Sequence, residues 1–178
     1  AASWPPQYRM DIEKRFEHGE LYSADSIHFA DSLKYKTLRK QRVVYGGGGI
    51  MPDYFVPLDT TQYTRFHRQL AARSYIINAN LKYIDVNRKQ LRNRFATFTD
   101  FNARYEVPES FVNDVLEAAA KDNIKPKDEQ ELQQTLPRLR LQLKALVARD
   151  LWDMSEYFQV INEENPIVRK AVELFEQA

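Results

Sequence analysis

The chain has 178 residues, 43% hydrophobic and 29% charged, enough for one ordinary core or two small ones. Twenty-six basic residues against 25 acidic leave a net charge of +1, so bulk charge does not point to a polyanion partner. The absence of cysteine excludes a disulfide framework, a thiol nucleophile and a thiolate metal site.

In chain order, the opening Ala1-Ala2-Ser3-Trp4-Pro5-Pro6 lacks a basic segment followed by an apolar one and is not expected to act as a signal peptide. Tyr8, Ile12 and Phe16 recur at helical spacing and predict a short amphipathic helix that Gly19 stops. Residues 22–32 are rich in turn formers and read as loop. Leu33, Tyr35 and Thr37, then Val43, Val44 and Tyr45, predict a hairpin around Arg39-Lys40-Gln41, with Tyr54 to Leu58 as a candidate third strand.

From about Thr61 the period becomes helical. Phe66, Leu70, Ile77, Leu81, Ile84, Leu91 and Phe95 form one apolar stripe. It predicts one long helix, or two broken near Asn78 and Asn80, capped by Asp59 or Thr60. Phe98, Phe101 and Tyr105 predict a short helix, and Pro108 the first residue of the next, with Phe111, Val112, Val115, Leu116 and Ala119 on one side. Lys125-Pro126-Lys127 is a break. Leu132, Leu136, Leu139, Leu143, Leu146 and Asp150 trace the strongest stripe, with a kink or fresh start expected at Pro137. Ser155 to Ile161 reads as a further helix, and Asn165-Pro166 opens a last one carrying Ile167, Val168, Ala171, Val172 and Leu174. No apolar run approaches the roughly 18 residues that span a bilayer, so no membrane contact is expected.

Few patterns carry chemistry. Four of the five glycines, Gly46 to Gly49, stand together ahead of Ile50-Met51-Pro52-Asp53. A phosphate cradle needs a lysine and a Ser/Thr after the last glycine, or a helix opening there, and Pro52 follows instead. A structural turn or close backbone packing is the better account. His18, His28 and His67 lie far apart and form no ligand pair, so no metal or cofactor is expected and three surface or half-buried histidines are the default. No serine stands in G-x-S-x-G. Paired carboxylates such as Glu129 and Glu131, or Glu163 and Glu164, read as solvated helix faces.

Charge is locally uneven. Residues 65–94 hold Arg65, Arg68, Arg73, Arg88, Arg92 and Arg94 with Lys82 and Lys89 against Asp85 alone, a net +7 in thirty residues. Nucleic acid binding would look like this. Docking on an acidic neighbour, inside the chain or outside it, explains the pattern better, so no nucleic acid partner is expected and these six arginines are candidate partner-binding residues.

His18-Gly19-Glu20-Leu21, Ala24-Asp25-Ser26-Ile27, the segment Val44-Tyr45-Gly46-Gly47-Gly48-Gly49-Ile50-Met51-Pro52-Asp53 and Val56-Pro57-Leu58-Asp59-Thr60 carry a family resemblance. So do Tyr83-Ile84-Asp85-Val86-Asn87-Arg88 and the stretch from Leu143-Lys144-Ala145-Leu146 to Asp150-Leu151-Trp152. Together they resemble the C-terminal portion of Bacteroidetes-type C-terminal processing (tail-specific) serine proteases. The resemblance implies a parent hydrolase with a Ser/Lys dyad and a PDZ-like domain, acting periplasmically or otherwise outside the cytoplasm on unfolded protein C-termini. A lysine base suits such chemistry because burial brings its pKa toward neutrality. No position here matches the family's serine or lysine motif, so no catalytic residue is carried over and the chain alone is expected to be inactive.

Gly46, Gly47, Gly48, Gly49, Pro52 and Asp53 then mark the close of the protease core. The expected fold is mainly α: residues 1–59 as a remnant of that core with a short β-hairpin, and residues 60–178 as a helical C-terminal domain. Expected partners are the rest of the parent and a second copy in a homo-oligomer. The alternative is a free-standing helical adaptor using the basic 65–94 face.

Overall fold

A computed structural model describes residues 13–14, 17–20, 23, 34–39, 41, 43–45, 54–57, 59 and 62–177. Its contacts divide the chain into two compact units, Ala1–Asp59 and Thr60–Ala178. The fold is mainly α, with one small antiparallel hairpin among the described residues.

In the first unit Glu13, Lys14 and Glu17 are helical, and His18 N–H donates to Lys14 O (2.9 Å). Gly19 follows at φ 79°, the left-handed stop that its lack of a Cβ permits. The hairpin pairs β1 (Lys34–Lys36) with β2 (Val43–Tyr45), Tyr35 opposite Val44. Its turn closes through Gln41, whose N–H donates to Thr37 O (3.1 Å) and whose φ is 51°. Residues 54–57 are not a strand, which corrects the third-strand expectation. Only three apolar residues, Tyr54 to Val56, stand between Pro52 and Pro57, and each proline removes an amide donor that a strand ladder would use. Gly46 to Gly49, Pro52 and Asp53 lie outside the described residues, as does most of 22–32.

The second unit is built on seven helices among the described residues: α1 (Arg65–Ala72), α2 (Tyr75–Arg94), α3 (Phe98–Arg104), α4 (Glu109–Lys121), α5 (Glu129–Leu151), α6 (Met154–Asn162) and α7 (Pro166–Glu176). None is long and apolar enough to cross a membrane.

The break after α1 falls at Ser74, earlier than the asparagines at which the sequence suggests it. Ser74 sits at φ 63° and serves both helices. Its N–H bonds Ala71 O (3.0 Å) as α1 ends, and its carbonyl accepts from Asn78 N–H (2.9 Å) as α2 begins. The left-handed residue resets the helical phase. Ile76, Asn80, Ile84 and Leu91 therefore face the core, whereas Leu81, on the expected stripe, is 48% exposed. The α1 cap is Thr64, whose hydroxyl accepts from His67 N–H (3.1 Å), not Asp59 or Thr60. Pro108 caps α4 rather than opening it. The helix ends in a Schellman pair: Ile124 N–H to Ala119 O (3.0 Å) and Asn123 N–H to Ala120 O (3.0 Å), with Asn123 at φ 58°.

The 23-residue α5 is the hub and packs against α1, α2 and α6. Ala145, Leu146, Val147 and Ala148 are buried in succession, as happens only where a helix is enclosed on nearly every side. Pro137 causes no fresh start; the helix runs through it. Pro137 and Gln133 are both exposed, so the carbonyl that loses its amide donor faces water.

An aromatic cluster closes the end of the unit near the C-terminus of α5. Phe101, fully buried, stacks on Tyr105 (4.5 Å) and meets Phe95 edge-on (5.5 Å) and Trp152 obliquely (5.2 Å). Such pairs contribute about 0.5–1.5 kcal/mol each beyond area burial. By contrast α7, capped by Asn165 with Pro166 at its start as the sequence predicts, has no buried residue.

Candidate functional site

The six arginines of residues 65–94 are not brought together on one face. Arg65 stands at the start of α1, 3.7 Å from Glu131 near the N-terminus of α5. Arg88 and Arg92 serve the opposite end of that helix: Arg88 donates to the Asp150 carbonyl, and the Arg92 guanidinium lies 5.5 Å from the Trp152 ring centroid. Glu131 and Asp150 are separated by about 30 Å of helix at 1.5 Å per residue. Arg68 donates to Tyr63 O (2.6 Å), and Arg94 lies over the Phe95 ring (5.1 Å). Arg73 is the exposed residue that ends α1. Most of this positive charge is thus spent on carbonyls, rings and a carboxylate of the chain itself, with Arg88 placed where a helix C-terminus favours a cation.

Glu131 complements it at the other pole. Asp128 caps α5 by accepting from Glu131 N–H (2.8 Å), and the Glu131 carboxylate reaches back to Lys127 N–H (2.7 Å). Its second oxygen accepts from Phe66 N–H (3.0 Å) in the first turn of α1. One buried carboxylate therefore serves the N-terminal ends of two helices. These amide bonds, that from Lys127 foremost, hold its pKa below the usual glutamate value. The Thr64 and Thr135 hydroxyls meet at 2.6 Å beside it. A solvated-face reading of Glu131 is corrected here. The Asp128-x-x-Glu131 spacing, a capping-box signature, is the sequence signal for it.

The third polar feature is a cavity of about 220 Å³ between α1, α5, α6 and the residues leading into α1. His67 forms part of its wall. It is 3% exposed, not at the surface, and neither ring nitrogen has a protein partner. Its ring stacks on Tyr63 (5.0 Å between centroids, 13° apart). Burial, with the charges of Arg68 and Arg138, holds its pKa below the ordinary value, so the imidazole is neutral at pH 7: one nitrogen a donor, the other an acceptor. Gln142 also borders this space, and its Oε1 is buried without a protein partner. Arg138 completes the polar side, one guanidinium nitrogen 3.1 Å from Glu164. Leu141 and Ile161 supply apolar wall.

Periodicity explains why these side chains escape a sequence reading. His67 follows Phe66 and Gln142 precedes Leu143, each flanking an apolar stripe by one position, where helical geometry places a side chain at the edge of the core. His18 is exposed, and His28 lies outside the described residues.

A sequence-family model described as "Family of unknown function (DUF8443)" matches residues 66–153, from α1 to the turn after α5. It therefore covers five of the six arginines (all but Arg65), Glu131 and the α1 and α5 walls of the cavity, but not α6. No curated protein matches the chain, and no solved structure does.

Proposed function

We propose that this chain is the C-terminal portion of a serine-type (Ser/Lys) C-terminal processing peptidase, and that residues 60–178 serve it in a non-catalytic, architectural or regulatory role. The observation that carries the reading is one juxtaposition. The Gly46–Asp53 segment, similar to the signature closing that family's protease core, directly precedes a helical unit with its own core. In this reading the partners are the catalytic and PDZ-like domains of the parent, with a second copy as a candidate. The parent's substrates are unfolded protein C-termini, met outside the cytoplasm. The helical adaptor is the weaker reading, because five of its six arginines already contact the chain's own groups.

The test is to extend the reading frame upstream of the codon for Ala1 and assay both products on a disordered polypeptide. The extended protein is expected to contain a small-residue serine motif and a Gly-Lys segment and to cleave the polypeptide, while the 178-residue chain does not. Cleavage by the chain itself, abolished by changing one of its own serines to alanine, would sink the proposal.

A further inference from the structure

Helix α7 carries an apolar face that its own chain leaves open. Val168, Ala171, Val172 and Phe175 recur at i, i+3, i+4 and i+7, the spacing of a helix face that packs. Yet no residue of α7 is buried, and Phe175 is 84% exposed. Ile167, beside the stripe, and Val172 within it are half-exposed.

Polar bonds set the direction of this helix. The Glu163 carboxylate accepts from Asn102 Nδ2 on α3, and Glu164 lies 3.1 Å from Arg138 on α5. Arg169 Nε then donates to the Glu163 carbonyl (2.6 Å), and Asn165 caps the first turn. The joint before α7 is thus tied to two helices of the bundle while the stripe beyond it is left uncovered.

Charge identifies what covers the stripe. A lone helix is stabilised by acids near its N-terminus and bases near its C-terminus. In α7 the first turn holds no acid and the last turn no base, with Arg169 early and Glu176 at the final residue. At about 100° per residue these two, seven positions apart, stand on one flank of the stripe. Glu176 pairs with no described residue, whereas Lys170 and Glu173 pair with each other (2.9 Å) on the polar side. A second α7, turned about a twofold axis level with residues 172 and 173, sets its Glu176 against Arg169 and its Arg169 against Glu176. A parallel pair sets like charges together instead. Because Arg169 and Lys170 balance Glu173 and Glu176, α7 lacks the cationic polar face with which interfacial helices hold anionic lipid.

Area sets the strength. Ile167, Val172 and Phe175 expose on the order of 400 Å² per copy, about half of the roughly 800 Å² that each partner buries in a standard interface. Such a pair is weak and depends on concentration.

We propose that α7 is a self-association surface, pairing antiparallel with α7 of a second copy of this chain. Val168, Ala171, Val172 and Phe175 form the contact, and Arg169 and Glu176 pair between copies along its flank. This assignment does not rest on the peptidase reading.

Sedimentation equilibrium of the full chain at about 5–500 μM in low salt is the test. A monomer–dimer equilibrium with a dissociation constant on the order of 10–100 μM is expected. Phe175→Ser, at a site too exposed to disturb the core, is expected to weaken it about tenfold or more. Arg169→Glu and Glu176→Arg each bring like charges together and are expected to weaken it about three- to tenfold, while the chain carrying both regains wild-type association. The double variant does not restore the bond from Arg169 to Glu163, so its recovery reports the pairing between copies. A wild-type chain that stays monomeric throughout the range overturns the proposal. So does association that Phe175→Ser leaves unchanged, which places the contact on another surface. A double variant no better than the single ones overturns the antiparallel pairing. Co-sedimentation of a monomeric chain with phosphatidylglycerol vesicles would assign the face to a lipid surface instead.

Discussion

His67 is a core residue chosen against stability. An imidazole with both nitrogens unpartnered costs about 1–3 kcal/mol relative to a satisfied or apolar group. His67→Phe, which keeps a ring of similar volume against Tyr63, is expected to raise unfolding free energy in urea by about 1 kcal/mol at pH 7. The pH dependence has a definite sign. Because the folded pKa lies below the ordinary 6.5, the unfolded chain takes up the proton first, so this group costs stability as pH falls below about 6.5. The phenylalanine variant should lose that part of the slope; an identical slope in both proteins would show that His67 is not held neutral.

Glu131 behaves oppositely. Its depressed pKa means that its contribution is present above the usual carboxylate range and is lost as pH falls through the folded value. Glu131→Ala leaves Phe66 and Lys127 amides without their acceptor, and about 2–3 kcal/mol should be lost at pH 7. The loss should be much smaller in acid, where the wild-type carboxyl is protonated too. A cost below about 0.5 kcal/mol in urea melts would show that water replaces the carboxylate freely.

Among elements, the most sensitive joint is Ser74. A residue with a Cβ in the left-handed region costs about 1 kcal/mol, partly offset by the flexibility glycine adds to the unfolded chain. Ser74→Gly is expected to be neutral or stabilising by up to about 1 kcal/mol, and Ser74→Val to cost about 1–2 kcal/mol. Equal thermal midpoints for the two would mean that the left-handed turn is not maintained in solution. This joint also marks where sequence reading stops working. Helices over 98–104, 109–121 and 154–162, the stripe of α5 and the Asn165-Pro166 start are legible because stripes and caps are local signals, whereas the unbroken run of α5 through Pro137 is not. The phase shift between Leu70 and Ile76 is not, because serine carries no propensity for φ 63°. Asn80 was illegible for a different reason. An apolar period skips it, yet it is fully buried with Nδ2 2.5 Å from Asp150 Oδ2, a contact between residues seventy positions apart. The individual partners of the arginines and the burial of His67 were hidden for the same reason: composition shows charge and residue type, while contacts are set by tertiary packing.

For the molecule as a whole, the helical unit holds its core within residues 66–160. Residues 60–178 alone are therefore expected to give a helical circular dichroism spectrum and one cooperative thermal transition. A molten spectrum without near-ultraviolet signal would show that the first unit is needed for packing. Mainly helical content was readable from the change of period near residue 60, because one-sided burial dictates the helical period; the hairpin was readable from its β-formers around a polar turn, although Tyr35, Val43 and Val44 are exposed. The cavity was not readable, since it is made by three helices whose sequences each look like ordinary amphipathic surface.

Trp152 is one of two tryptophans in the chain, and it ends α5 against Phe98 and Phe101 with Arg92 over its ring. In a Trp4→Phe background, its emission becomes a single-site optical gauge of how the last turn of the hub helix is seated. Loosening of that end would redden the spectrum before the far-ultraviolet signal changes. The docking of α5, Arg92 and the aromatic cluster can thus be timed by stopped-flow fluorescence without attaching a label.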